Sequence, residues 1–171
     1  MENKENKIES NKKYPDESEE IKDQKIKKQK SKSIKKLKEN ENYILAEINI
    51  EEHAINRDIR IINTFEEHKR INVLRDEEDD YKYENEKEIK ENCIIEINNK
   101  RIPFNYLYEF KEKGKFTIKY LFKKKIKRAN FLFSECKSLI NIDLSHFNTQ
   151  NVIDIIFTFD KCNSFKKYRF I

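Results

Sequence analysis

FLFSECKSLINIDL, residues 131–144, decides how the rest of the chain is read, because it returns in altered form 26 positions later. Phe131 aligns with Phe157, Phe133 with Phe159, Cys136 with Cys162, Ser138 with Ser164 and Leu139 with Phe165. Ile126 falls on Val152, Ile142 on Tyr168 and Leu144 on Phe170, so apolar character survives where identity is lost. One offset that keeps apolar on apolar marks a structural repeat whose units bury their faces against one another. Residues 126–171 hold fewer than two such units.

Within each unit the spacing predicts a helix, a turn and a strand. Asn151 can cap a helix carrying Val152, Ile155, Ile156 and Phe159 on one face, and Ile126, Ala129 and Phe133 repeat that face in the first copy. C-x-x-[LF] follows each predicted helix, then Ile142 and Leu144, or Tyr168 and Phe170, at strand spacing. Such a unit at fixed period describes one coil of a solenoid with stacked parallel strands. Cys136 and Cys162 then occupy the same position of successive coils, so two of the three cysteines (the other is Cys93) read as stacked buried thiols, not as a disulfide framework or zinc site.

The pattern F-x-x-C-x-x-L-x-x-I-x-L, made by Phe133, Cys136, Leu139, Ile142 and Leu144, resembles the BspA-like leucine-rich repeat family. The connector LSHFNTQNV, residues 144–152, looks like the asparagine-rich connector of that family's long-period branch. The resemblance covers about 126–171, with 42–125 similar to the non-repeat domain that precedes such repeats. It implies a non-enzymatic protein–protein interaction or adhesion-type module, often of cell-surface proteins, with no catalytic residues and no cofactor. It places the binding strand face at Asn141, Asp143 and Ser145. Phe147 stands where the general repeat has a buried Asn or Cys, and the second copy sets Lys166, Lys167 and Arg169 around its strand. About three coils are normally needed for an independent core, so the far side of the second is expected to expose Phe165, Tyr168, Phe170 and Ile171 and to promote self-association.

Upstream, Cys93, Ile94, Ile95 and Ile97 lead to Asn98-Asn99 and return through Ile102 and Phe104, the pattern of a β-hairpin. Tyr106, Tyr108 and Phe110 alternate before the only glycine, Gly114, and Phe116, Ile118, Tyr120 and Phe122 alternate after it, which predicts a second hairpin. Their aromatic face is expected to close a core with Ile95 and Ile97; an open base-stacking sheet is the competing use of alternating Tyr and Phe. Residues 43–50 and 59–62 suit two further strands. Thr64 with Glu67 forms a capping box that predicts a short helix over 65–73, and RDEEDDYKYENEKEIKEN, 75–92, reads as an acidic connector. The expected fold class is α+β, mainly β: a disordered Lys-rich tail over 1–40, a β-rich domain with one short helix over 42–125, and one to two solenoid coils over 126–171.

Charged residues make up 40% of the chain and the apolar set 36%, below the roughly 45–50% of ordinary globular proteins. Much of this polarity lies before residue 41. Ile21–Lys38 carries nine lysines, among them Lys27, Lys28, Lys35 and Lys36, against Asp23 alone. Three uses of that segment stay open: a solvated tail, nucleic-acid or nuclear-import contact, and a thin membrane-surface helix. Over the whole chain 37 basic residues oppose 32 acidic ones, a mixture that screens itself within about 8 Å and argues against long-range attraction to nucleic acid. No run of about 18 apolar residues exists and MENKENKIES has no apolar signal segment, so a cytoplasmic chain without a transmembrane segment is expected. His53, His68 and His146 lie far apart among polar residues and read as surface histidines. Asp76–Asp80 lacks the spaced ligands and glycine of a calcium loop.

Overall fold

Asn42–Ile50 (β1) alternates strictly, with Ile44, Ala46, Ile48 and Ile50 buried and Tyr43, Leu45, Glu47 and Asn49 on the other face. A period of two with every second residue apolar buries one side of a strand and leaves the other polar. Gly114–Phe122 (β6) has the same pattern over Ile118, Tyr120 and Phe122 and pairs with β1 antiparallel along its full length, Asn42 with Phe122 through Ile50 with Gly114. Cys93–Ile97 (β3) lies on the other side of β6, and Lys100–Ile102 (β4) closes the hairpin with it. Asn98 and Asn99 make the turn with φ of 46° and 66°, a left-handed pair that asparagine tolerates and that matches strand twist. Leu139–Asp143 (β7) joins the free edge of β1, and Lys167–Arg169 (β8) pairs in parallel with β7. The result is a mainly β structure with a six-stranded sheet in the order β4-β3-β6-β1-β7-β8. The computed structural model describes residues 41–169, and the expectation of a disordered tail over 1–40 lies outside them.

The expected second hairpin does not form. Asp58–Arg60 (β2) and Leu107–Glu109 (β5) pair with each other in a separate two-stranded sheet, because both edges of β6 are filled by β1 and β3. The aromatic residues still close the core: Tyr106, Phe110, Ile118, Tyr120 and Phe122 are buried with Ile95 and Ile97, and Phe116 and Tyr108 pack at its margin. Gly114 opens β6 at φ +133°, a value that favours glycine.

Two helices cover this core. Phe65–Asn72 (α1) begins where the capping box predicts, with the Thr64 hydroxyl accepting from the Glu67 amide at 3.3 Å. Only half of the box forms. Glu67 pairs with Arg60 at 3.1 Å and with Arg70, and the Thr64 amide donates instead to Asn63 Oδ1 at 2.9 Å. Glu86–Asn92 (α2) lies in the expected acidic connector. Its single buried apolar residue is Ile89, too little periodicity to see in sequence, and the Glu66 carboxylate accepts from its first amide at 3.0 Å.

Neither repeat copy contains the predicted helix. Phe131 and Glu135 in the first copy, and Phe157 and Lys161 in the second, have φ between 55° and 62°, so left-handed residues recur every four positions and a helix cannot propagate. The amides divide their partners. Leu132, Ser134 and Cys136 donate to the carbonyls of Ala129, Phe131 and Phe133, closing a chain of tight turns. Ala129, Phe131, Phe133 and Glu135 donate across to Asp154, Ile156, Thr158 and Asp160 of the second copy at 2.7–3.1 Å. Amides committed to a neighbouring segment are unavailable for i→i−4 bonding, which is the physical reason the helical spacing fails in the first copy; in the second, the left-handed Phe157 and Lys161 interrupt it. Burial nevertheless follows the pattern in the first copy, where Ile126, Ala129 and Phe133 are buried.

The expected boundary between 125 and 126 is crossed by the β1–β7 ladder, and the hydrophobic core runs from Ile44 to Ile142 without a break there.

Candidate interaction surfaces

The polar face of the sheet gathers the sequence-predicted residues Asn141 and Asp143 beside strands that precede the repeats. Cross-strand register sets Thr117, Glu47 and Asn141 in one row, and Glu96, Lys119, Leu45 and Asp143 in the next. Asn141 Nδ2 donates to Glu47, which also pairs with Lys115 at 3.3 Å. Asp143 Oδ1 accepts from the Ser145 amide at 2.9 Å, so Ser145 serves the turn that leaves the strand. Glu47, Thr117, Asn141 and Asp143 line a shallow depression of about 320 Å³. At one end Tyr43 stacks on the exposed His146 at 4.6 Å and carries the Lys119 ammonium over its ring at 4.3 Å. Rows of opposite charge and amide groups on a sheet face suit a polar protein surface, since each row offers donors and acceptors at strand spacing.

Sequence reasoning missed a second feature: the device that ends the repeat stack on the side of the first copy. The carbonyls of Asn130, Leu132 and Ser134 are the equivalents, one copy earlier, of those of Ile156, Thr158 and Asp160. Leu132 O accepts from the Asn63 amide at 2.8 Å, Ser134 O from Asn63 Nδ2 at 3.0 Å, and Asn130 O from Asn85 Nδ2 at 2.7 Å. Both asparagines are buried and both also accept, Asn63 Oδ1 from Thr64 and Asn85 Oδ1 from Phe65. Two asparagines, through both side-chain amides and the Asn63 backbone amide, thus cap the acceptor row of the first copy and the start of α1 together. Each stands before a helix, where a helix-starting role is the obvious reading, and no signal in the sequence points to the carbonyls they serve.

The far side of the second copy is open. Ile155 is 70% exposed and Phe157 59%, whereas their first-copy equivalents Ala129 and Phe131 are 3% and 8% exposed. On the second copy the exposed large apolar residues among those described are Ile153, Ile155, Ile156 and Phe157, and of the sequence-based edge only the Phe165 side chain lies among the described residues. Phe165 is half-buried and stacks on Phe159 at 5.0 Å. The side chain of Tyr168, together with Phe170 and Ile171, lies outside the described residues, as do Lys27, Lys28, Lys35 and Lys36. An apolar cavity of about 390 Å³, lined by Leu132, Phe133, Phe147, Val152, Phe157 and Phe159, lies between the copies, with Ile44 of β1 also on its wall.

The titratable groups are tied into packing. Burial pushes the Cys136 thiol well above its ordinary value, Cys93 up to about 12 and Cys162 up to about 11. A thiol so protonated at neutral pH is a poor nucleophile. Cys162 Sγ donates to Phe133 O at 2.9 Å, joining the copies. His68 is buried, contrary to the surface histidine expected; it packs at 4.5 Å on Phe131 with Glu135 at 3.4 Å. Burial lowers its pKa more than Glu135 raises it. Glu86 is held down to about 2, chiefly by Arg70 and then by Lys90 and Tyr106, against the opposing pull of burial. Among the described residues no group of three or more His, Cys, Asp or Glu could hold a metal ion, and no helix is long and apolar enough to cross a membrane.

Compared with family models, curated proteins and solved structures, the chain matches none.

Proposed function

We propose that this chain is a non-enzymatic protein-interaction module of the BspA-like repeat type, in which residues 126–169 are stacked solenoid coils and the polar sheet face is the binding surface. The observation that carries the reading is the register of the copies. Asn141 pairs with Lys167, Ile142 with Tyr168 and Asp143 with Arg169, each at the 26-residue offset found in the sequence, so every copy adds a strand to the same face. Extension by β1, β6, β3 and β4 widens that face to six strands. A partner would bury side chains against Asn141, Asp143, Glu47, Thr117 and Lys119, with rim charges setting orientation more than affinity.

The test is affinity capture with the full chain, with the double variant Asn141→Lys/Asp143→Lys, and with a deletion of residues 1–40. The expected result is a captured protein that the double variant loses at least tenfold, that the deletion retains, and whose binding weakens only slightly between about 50 and 200 mM salt. Phosphate-driven binding falls by orders of magnitude over that range. Capture that follows the tail and collapses with salt would overturn the proposal in favour of an anionic ligand on the lysines.

A further inference from the structure

Outside the repeat copies, the exposed large apolar side chains among the described residues are Ile71, Val73, Leu74 and Tyr81, all within one stretch of the chain. Val73 is 88% exposed and Leu74 53%. Their backbone closes α1 with two bonds back to its last turn: the Val73 amide donates to Arg70 O at 3.3 Å and the Leu74 amide to Lys69 O at 3.0 Å. Val73 takes the left-handed position of that turn at φ 52°, where glycine is the usual residue and a β-branched side chain is strained. Its side chain lies in solvent, so no burial within the described residues offsets the strain. Strain of this kind persists where the surroundings over-determine it, and it gathers at functional sites. Here the surroundings are firm. Lys69 is buried, with Nζ donating to Asp76 at 2.9 Å and also to Asp80, and Asp80 accepts in turn from the Glu77 amide at 2.8 Å. Residues 74–84 are thus a strap pinned to α1.

Between α1 and the strap lies a groove of about 380 Å³ in which Phe65, Val73 and Leu74 meet the carboxylates of Asp76, Asp80 and Glu84. Residues 76–84 carry six carboxylates against the nearby Lys69, Arg75 and Lys82, and the side chains of Glu77, Glu78 and Glu84 have no partner among the described residues. The mixture of exposed apolar groups and net negative charge selects the occupant. A nucleic acid or an anionic lipid surface is repelled by the carboxylates. A divalent cation finds no group of three or more ligands among the described residues, and it leaves Val73 and Leu74 wet. A second copy docked here about a two-fold sets like charge against like. An amphipathic helix with a basic flank satisfies both parts, since its apolar face covers Phe65, Val73 and Leu74 while lysine or arginine faces Glu77, Glu78 and Glu84. We infer that this groove docks a basic amphipathic segment of a partner protein. The surface belongs to α1 and the connector after it, apart from the polar sheet face, and does not depend on what that face binds.

The experiment titrates the full chain with a labelled helical peptide that carries leucines on one face and lysines on the other, in about 150 mM salt. Fluorescence anisotropy reads affinity and amide hydrogen exchange reads the place of contact. The expected result is saturable binding with slowed exchange over residues 71–84. Glu77→Lys/Glu78→Lys and Leu74→Ser, all at exposed positions, should each weaken binding at least tenfold with the melting temperature unchanged. Val73→Gly is the sharpest arm, because it should raise the melting temperature by about 2–5 °C as the left-handed strain is relieved, and yet weaken binding at least fivefold. A peptide with its leucines replaced by serine should not bind. Asn141→Lys/Asp143→Lys should leave binding intact, so that loss of the sheet-face reading and loss of this one are told apart. The inference is overturned if the serine peptide binds as well, if the groove variants bind like the parent chain, if protection maps to other residues, or if residues 71–84 are already protected in the free chain. Protection that grows with chain concentration alone would assign the groove to a second copy and overturn it equally.

Discussion

The two repeat copies have the same backbone pattern and opposite surroundings. Left-handed residues fall at 131 and 135 in one and at 157 and 161 in the other, and the turn hydrogen bonds recur at the same offset. The first copy has asparagines against one side and the second copy against the other; the second is covered on one side only. The turn pattern is thus shared by both copies, whereas burial, and with it stability, is set by neighbours. A repeat unit closes its turns alone and completes its core only in a stack.

The largest effect that tests this contrast is a pair of truncations. Phe133 is buried against Tyr120 at 5.2 Å and Phe159 at 5.8 Å, so Phe133→Ala should cost about 3–5 kcal/mol in urea unfolding. Phe157→Ala, at a mostly exposed ring, should cost under about 1 kcal/mol. Equal losses would mean that the second copy is covered in solution, and the contrast would fail.

A smaller effect separates the capped side from the open one. Asn63→Ala removes the donor to Ser134 O and the acceptor for the Thr64 amide, both buried, and should cost on the order of 2 kcal/mol. Asn163→Ala, on an exposed turn of the second copy, should stay within about 0.5 kcal/mol by the same measurement. A neutral Asn63→Ala would remove the cap from the account.

Acidification gives the smallest effect and concerns the module that holds the cap. A carboxylate held below its ordinary value stabilises the fold fully above that value, about 4.5 here, and loses the contribution as pH falls towards about 2. Neutral buried His68 adds an earlier loss, starting as pH falls below its ordinary 6.5, because the unfolded state then binds the proton more readily. Glu86→Gln should flatten the stability profile between about pH 4.5 and 2 and leave the part nearer 6.5 unchanged. A profile that is indifferent to the substitution would show that Arg70 gains nothing from the charge of Glu86.

Several elements were legible because their cause is local. Alternation over 43–50 and 116–122 specifies strands, Asn98-Asn99 specifies a hairpin turn, and Thr64 specifies where α1 starts. The 26-residue offset was legible as well, since identical side chains at identical positions imply the same packing role. Predicting helices from Val152, Ile155, Ile156 and Phe159 failed for a reason that periodicity cannot encode. Apolar spacing reports which residues want burial, whereas the helix is broken by left-handed Phe157 and Lys161, and the carbonyls of Asp154, Ile156, Thr158 and Asp160 accept from a segment 25 residues away. The missing second hairpin has the same origin, because competition of β1 and β3 for the edges of β6 is a matter of three strands at once.

By itself, then, the sequence determined the strands, the turn residues, the aromatic core and the existence and period of the repeat, all of which follow from side-chain character over short spans. Tertiary structure alone decided that Asn63 and Asn85 close one end of the stack, that β7 extends the sheet of the preceding module, and that Ile155 and Phe157 are exposed where Ala129 and Phe131 are not. The physical reason is that a buried carbonyl must find a donor somewhere, and an apolar side chain a neighbour, and only the folded chain says which residue from how far away supplies it.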